Sequence, residues 1–266
     1  MLSGALAASR RTAFLCLAAA FFLITGACGG SDEAIDAAQR FDYAAATREL
    51  AEQGDPNAQY TLGVMLREGI GVERNYQEAM RWSQRAAEQG YADAQSDIGA
   101  MYATGLGVKQ DYEEAVKWYR RAADQGFARA QSNLGSMYFG GMGVRRNYRE
   151  AAHWFQLAAD LNLPDAQSNL GVLHAMAGDY TRAAHLFRKA TEQTWPVAME
   201  NLGSLYLSGQ GVSKNYVSAY MWFELALSFG MQLALEGRDK AAAAMTPEQI
   251  VEAKRLVEGW LRERNN

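Results

Sequence analysis

The chain has 266 residues, a formal net charge of −4 and 49% hydrophobic residues, enough apolar surface for a packed core. The mild acidity argues against a nucleic-acid partner, which would call for a basic patch. The two cysteines, Cys16 and Cys28, both lie in the first 28 residues, so no disulfide framework exists beyond them.

Residues 1–27 read as an export signal. Arg10-Arg11 gives a positive start, Thr12–Ile24 is an apolar run of 13, and Thr25-Gly26-Ala27-Cys28 follows. A membrane-spanning helix needs about 20 apolar residues, so the run is short for a span and fits a secretory signal. The small residues before Cys28 resemble a bacterial lipoprotein signal, with Thr25 where Leu is usual. That resemblance implies lipidation of Cys28 and export to the periplasmic side of the envelope. Gly29 stands where Asp would favour inner-membrane retention, so the outer membrane is favoured. Plain cleavage near Ala27 and an uncleaved anchor are the alternatives. Residues 28–33 form a polar spacer. Residues 34–54 predict a capping helix, because Leu50-Ala51 and Gly54 keep the phase of Ala86-Ala87 and Gly90 further on.

Residues 55–230 hold five copies of one sentence. Gln59, Gln95, Gln131 and Gln167 recur every 36 residues, as do Gly63, Gly99, Gly135 and Gly171. Trp82, Trp118 and Trp154 keep the same step. Self-similarity at this period means a repeat array. The copies are 55–90, 91–126, 127–162, 163–194 and 195–230. The fourth is four residues short: Ala177–Tyr180 replaces its Gly-x-Gly-Val turn, and Leu186 stands at its Trp position.

Each copy predicts two helices. Pro56, Pro164 and Pro196 share one phase, and Pro suits a first helical position. Asp55 precedes Pro56 as a cap. Gly69 and Gly71 punctuate the turn. Asn75, Asp111 and Asn147 then open the second helix, each with Glu three residues later, which is a capping-box spacing. The small residues (Gly63, Ala79, Ala86, Ala87) mark close helix approach. The large ones (Leu62, Leu66, Tyr76, Trp82) are expected to fill the space between helices.

The pattern AQ-x-x-LG-x-M-Y-x-x-G-x-GV-x-x-[DN]Y-x-x-A-x-x-W-x-x-x-AA-x-x-G resembles the Sel-1-like repeat, a relative of the tetratricopeptide repeat. It covers about two-thirds of the chain. Copy four departs by its deletion and His174, copy five by Met199. The resemblance implies an all-α fold, a right-handed α-solenoid of antiparallel helix pairs, and work as an adaptor.

Residues 231–266 predict two capping helices. Met231–Ala244 is Ala- and Leu-rich. Thr246-Pro247-Glu248-Gln249 then restarts a helix with apolar residues at helical spacing, Ile250 to Leu261. It suits a cap; a partner-binding amphipathic helix is the alternative.

No chemistry stands out. His153, His174 and His185 form no metal-ligand spacing within a helix. The recurring Gly-x-Gly reads as a turn, and Arg145, Arg146 and Arg149 as a solvated cluster. No cofactor or metal is expected, and no enzyme activity. The one ladder with a functional reading is Asn133, Asn169 and Asn201, which share a phase with Thr61 and Asp97. In the tetratricopeptide relatives the first helix lines a groove, and an amide there offers a donor and an acceptor to a peptide backbone. The expected function is a non-enzymatic protein-interaction scaffold at the bacterial envelope. It would bind a protein partner on the concave face and the membrane through lipidated Cys28. Binding of peptidoglycan or another polysaccharide is the alternative, and a cell-wall-active enzyme is less favoured.

Overall fold

The computed structural model describes residues 43–265. The export signal, Cys28, the spacer and the first part of the capping helix lie outside the described residues.

The described residues form thirteen α-helices and no strand. They divide into two units, one ending at Tyr91 and one beginning at Ala92. The first holds α1 (43–52), α2 (Pro56–Glu68) and α3 (Tyr76–Glu88). Asp55 caps α2 by accepting from the Ala58 N–H at 2.7 Å, with Pro56 behind it. Ala51, Leu62, Leu66, Ala79 and Trp82 form the apolar core of this unit. Arg48 of α1 reaches Glu78 of α3 at 2.9 Å.

The second unit holds four helix pairs: α4 (Ala92–Thr104) with α5 (Tyr112–Asp124), α6 (Ala128–Gly140) with α7 (Tyr148–Asp160), α8 (Pro164–Met176) with α9 (Tyr180–Glu192), and α10 (Pro196–Ser208) with α11 (Tyr216–Ser228). Two helices follow, α12 (Ala234–Ala243) and α13 (Pro247–Asn265).

Close approach inside a pair has a plain cause. A Cβ on Gly99, Gly135 or Gly171 would sit 2.6 to 2.7 Å from the ring of Tyr119, Phe155 or Phe187 on the second helix. Only hydrogen fits, which explains a glycine where helix propensity disfavours it by about 1 kcal/mol. Pairs join through the Gly-x-Gly turn. A Cβ on Gly143 (φ +67°) would meet the Tyr112 carbonyl oxygen at 2.2 Å, so this turn lies on the start of the preceding second helix.

The caps differ from the expected boxes. Asn75 accepts from the Glu78 N–H at 3.0 Å, and Asp111 and Asn147 do likewise. The reciprocal half is absent. The backbone N–H groups of Asn75, Asp111 and Asn147 go to the carbonyls of Leu66, Tyr102 and Tyr138 on the first helix. The helix–helix turn has taken the donor that Glu would have satisfied. Glu78 instead accepts from Arg48 and, at 3.3 Å, from Trp82 Nε1. Burial alone would raise its carboxyl; those bonds and the charges of Arg48 and Arg81 outweigh it and hold it below the usual range. Thr246 and Gln249 do form both halves of a box.

Two further expectations are corrected. Tyr76 is half-buried rather than part of the core, and Tyr112 and Tyr148 at the same phase are exposed. There Arg146 and Lys214 stand over the rings of Tyr148 and Tyr216, and Gln110 donates to the Tyr112 hydroxyl at 2.9 Å. The Ala-rich helix begins at Ala234, not Met231, because Gly230 (φ +87°) and a turn intervene. Its Gly237 faces the Phe223 ring. Ala253 and Val257 of α13 join the Met199–Phe223–Ala226 core, and Trp260 packs edge-on to Trp222 and Phe229. That packing covers the end of the last pair.

Buried glutamines tie the two helices of a pair together. Gln89 donates to Gln59 Oε1 at 2.8 Å, Gln125 to Gln95 at 2.7 Å, and Gln193 to Gln167 at 3.2 Å. In the third copy Leu161 replaces the donor, and Gln131 Oε1 is buried without a partner. In the fifth both members are apolar, Met199 and Phe229, and no orphan remains there. The glycine that closes second helices at Gly90, Gly126 and Gly230 is Asn162 and Thr194 elsewhere, still at φ +63° and +62°.

Two stability predictions follow from these departures. Leu161→Gln gives Gln131 its missing donor and should stabilise by about 1 kcal/mol, the net worth of one such bond. Thr194→Gly relieves a β-branched residue of left-handed backbone, a cost of about 1–2 kcal/mol, partly offset by added freedom in the unfolded chain. Thermal unfolding followed by circular dichroism checks both; an unchanged or lower midpoint contradicts the respective assignment.

Candidate functional site

The first helices of the second unit present five consecutive positions in four directions. In α6, Gln131 turns back to the preceding pair, its Nε2 reaching the Ala123 carbonyl at 3.3 Å. Ser132 turns to the next first helix, donating to Asp165 Oδ2 of α8 at 2.6 Å. Leu134 and Gly135 turn into the core. Asn133 is the residue left over, half-buried and with no side-chain hydrogen bond among the described residues. Asn169 of α8 occupies the same place in the same state. Each leaves an amide donor and an acceptor free.

Asn201 differs. Its Nδ2 donates to the Val197 carbonyl of its own helix at 2.9 Å. The ladder is therefore two open amides and one self-satisfied amide. The remaining members of the phase are also not equivalent. Thr61, in the first unit, donates to Asn57 Oδ1 at 3.4 Å. Asp97 of α4 is close enough to add to the burial of Tyr119, and together these push that phenol up to about 12.

Glu200 lies beside Asn201, at the position that Ser96, Ser132 and Ser168 fill elsewhere. It is half-buried, and loss of hydration raises its carboxyl above the usual range, opposed by a 3.3 Å bond from Ser204 Oγ. Ser168 Oγ is buried without a partner, because Val197 stands where Asp165 would receive it. Sequence reading missed Asp97 as more than a variant of the ladder, and missed Glu200 altogether. The signal for Glu200 was there: a charged residue in register with three serines.

The other candidate groups do not converge. His174 Nδ1 lies 3.9 Å from Asp179, and His153 packs edge-on to Trp154. Among the described residues no group of three or more His, Cys, Asp or Glu side chains could hold a metal. Trp82, Trp118 and Trp154 are buried, and Arg120 lies over the Trp154 ring while bonding the Tyr138 hydroxyl. An open cavity of about 320 Å³ in the first unit is lined by Tyr43, Thr47, Leu50, Asn57 and Thr61. No described helix is long and apolar enough to cross a membrane.

Stacked helix pairs at a fixed residue period, with polar groups left open on the first helices, define an α-helical repeat protein of the solenoid class. The Sel1 repeat family model matches residues 56–91, 92–127, 128–163, 164–194 and 196–228, and the chain belongs to the Sel1 repeat family. Proteins of this family are in general protein-interaction scaffolds. A Sel1 repeat protein from Oxalobacter formigenes is 30% identical, with a TM-score of 0.70 over 79% of this chain and 87% of that one. A protective antigen of uropathogenic Escherichia coli displaying an SLR fold is 27% identical, with a TM-score of 0.65 over 84% of this chain. This chain spans 56% of that antigen's length. Pseudomonas aeruginosa PilF, at 21% identity and a TM-score of 0.52, shares the fold alone. Comparison with curated proteins gave no match.

The raised Glu200 carboxyl has a definite pH consequence. The folded state holds its proton more tightly than the unfolded state, so the ionised form weakens the fold, and that penalty grows as pH rises from the unfolded value through the folded one. Glu200→Gln should therefore melt higher than the parent at pH 7 and match it near pH 3. Melts at the two pH values check this; an equal gain at both would point to packing instead.

Proposed function

We propose that the protein is a non-enzymatic scaffold exported to the bacterial cell envelope, lipid-anchored at Cys28, that captures a protein partner along the first helices of its repeats. The observation that carries the reading is the pair Asn133 and Asn169. They lie one repeat apart, half-buried and without a side-chain hydrogen bond, while Gln131 Nε2, Gln167 and Ser132 are engaged. An amide held in a fixed place with both functions open suits a peptide group, which also carries one donor and one acceptor. Anchoring adds a second contact and raises the local concentration of bound partner at the membrane. The anchor rests on the sequence before Cys28, and the outer membrane on Gly29 after it.

Recognition of a glycan by stacking on the recurring tryptophans is disfavoured by the burial of Trp82, Trp118 and Trp154, since such binding needs exposed ring faces.

A photo-crosslinking residue at Ser136 of α6, with another at Val251 of α13 as comparator, tests the reading in native envelopes. Mass spectrometry is expected to find an acylated Cys28 at the mature N-terminus and a partner joined through position 136. An unmodified N-terminus removes the anchor. Crosslinks through position 251 alone move the binding surface to the last helix.

A further inference from the structure

The turn between α6 and α7 gathers three exposed cations. Arg145, Arg146 and Arg149 have no carboxylate partner among the described residues. The same positions hold Lys109, Gln110 and Glu113 in copy two, and Ser213, Lys214 and Val217 in copy five, so the concentration is particular to copy three. Backbone bonds pin this turn at both ends. The Gly141 N–H donates to the Met137 carbonyl at 2.8 Å, and the Asn147 N–H to that of Tyr138 at 2.9 Å. Its middle lies on the start of α5 through Gly143, as the copy-five turn lies on Tyr180 through Gly211. Copy four lacks such a turn, because Ala177–Tyr180 replaces it. No such turn therefore lies on Tyr148, and Asn147, Tyr148 and Arg149 are all exposed. Apolar groups share this edge. Met142 is exposed beside Gly140, and Tyr148 has Arg146 over its ring and the Phe139 ring 5.5 Å away. Among neighbouring carboxylates, Asp111 is taken up as the cap of α5 and Glu114 pairs with Lys117. Glu113 and Glu150 remain, against the three arginines and Lys109.

We infer that this edge is a membrane-contact surface: its arginines lie among the headgroups of an anionic phospholipid bilayer, with Met142 and Tyr148 at the boundary beneath them. Charge complementarity selects the anionic lipid. The chain as a whole is acidic, so the attraction has to be local. The company of a thioether and a phenol selects a bilayer over a soluble polyanion. Tyrosine settles at the headgroup level of a membrane, and an arginine lays its stem on apolar surface while its charge stays in water. Clustered cations beside a membrane are the usual readers of acidic lipid. The pinned backbone holds these groups ready, so little freedom is lost on contact. The inference goes beyond capture along the first helices and does not depend on Cys28. Where Cys28 is acylated, this edge decides which side of the second unit faces the bilayer.

Vesicle binding tests this with the chain from residue 28 carrying Cys28→Ser, which keeps every described residue and bears no acyl group. Vesicles of phosphatidylglycerol and phosphatidylcholine in equal parts would be compared with phosphatidylcholine alone by co-sedimentation. Binding is expected only with the anionic lipid and should fade as salt is raised. Each arginine near such a surface contributes ~5-fold. Arg145→Gln, Arg146→Gln and Arg149→Gln together should therefore weaken binding by ~100-fold. Lys189→Gln, Lys254→Gln and Arg262→Gln remove the same charge from other exposed positions and should weaken it little. With Cys16 and Cys28 gone, Met142→Cys supplies a single thiol for an environment-sensitive fluorophore. Its emission should shift to the blue on the anionic vesicles, and that of a label at Val251→Cys should not. Circular dichroism confirms that each variant is folded. Absence of binding, or equal losses in the two triple variants, overturns the inference. Binding of dextran sulfate as tight as that of vesicles, with an unshifted label at position 142, assigns the arginines to soluble polyanions and overturns it too. None of these outcomes bears on the acylation of Cys28 or on the crosslink from position 136.

Discussion

The repeat depends on one contact: a glycine on the first helix pressed against an aromatic ring on the second. Gly99 meets Tyr119, Gly135 meets Phe155, Gly171 meets Phe187 and Gly203 meets Phe223. A ring against a bare backbone leaves almost no freedom in how a first helix is rotated about its axis. With that rotation set, the direction of every other first-helix residue follows from the 3.6-residue turn. Gln131 must look back, Ser132 must look forward, and Asn133 must look outward. The first pair shows a weaker form, in which Ser83 takes the place of the ring beside Gly63.

Much of this was legible in the sequence because a repeat states each rule several times. The 36-residue step, the caps at Asn75, Asp111 and Asn147, and the prolines at Pro56, Pro164 and Pro196 all place helix ends where the structure has them. What failed was assignment of direction. Tyr76 and Trp82 looked alike as large recurring residues, yet the tyrosine phase is half-buried to exposed and the tryptophans are buried. The tyrosine opens its helix beside the turn, whereas Trp82 and Trp154 lie six residues further on, inside the apolar clusters. The capping-box spacing was also right about the cap and wrong about the glutamate, because the donor it would bind belongs to the turn.

The register departures show why buried polar groups change in pairs. Where Gln131 kept its partner's slot but met Leu161, an acceptor was stranded; where Ser168 met Val197, a hydroxyl was stranded. Where both members changed, Met199 with Phe229, no buried polar atom was stranded: Met199 joins the core and Phe229 lies at the surface. A buried group without a partner costs about 1–3 kcal/mol, whereas an apolar pair of similar shape is nearly neutral. Single changes of this kind are therefore the expensive ones, and they fall in copy three and in the shortened copy four.

The same reasoning separates structure from function among amides that look identical in sequence. Gln59, Gln95 and Gln167 recur as strictly as the asparagine phase, and each could have been offered as a peptide-binding ladder. They are consumed inside the fold by Gln89, Gln125 and Gln193. Asn133 and Asn169, two positions later on their helices, make no side-chain hydrogen bond among the described residues. A rotation of about 200° along the helix turns one amide from a rivet between helices into an open hydrogen-bonding group. Recurrence alone identifies both, and only the glycine–aromatic contact says which is which.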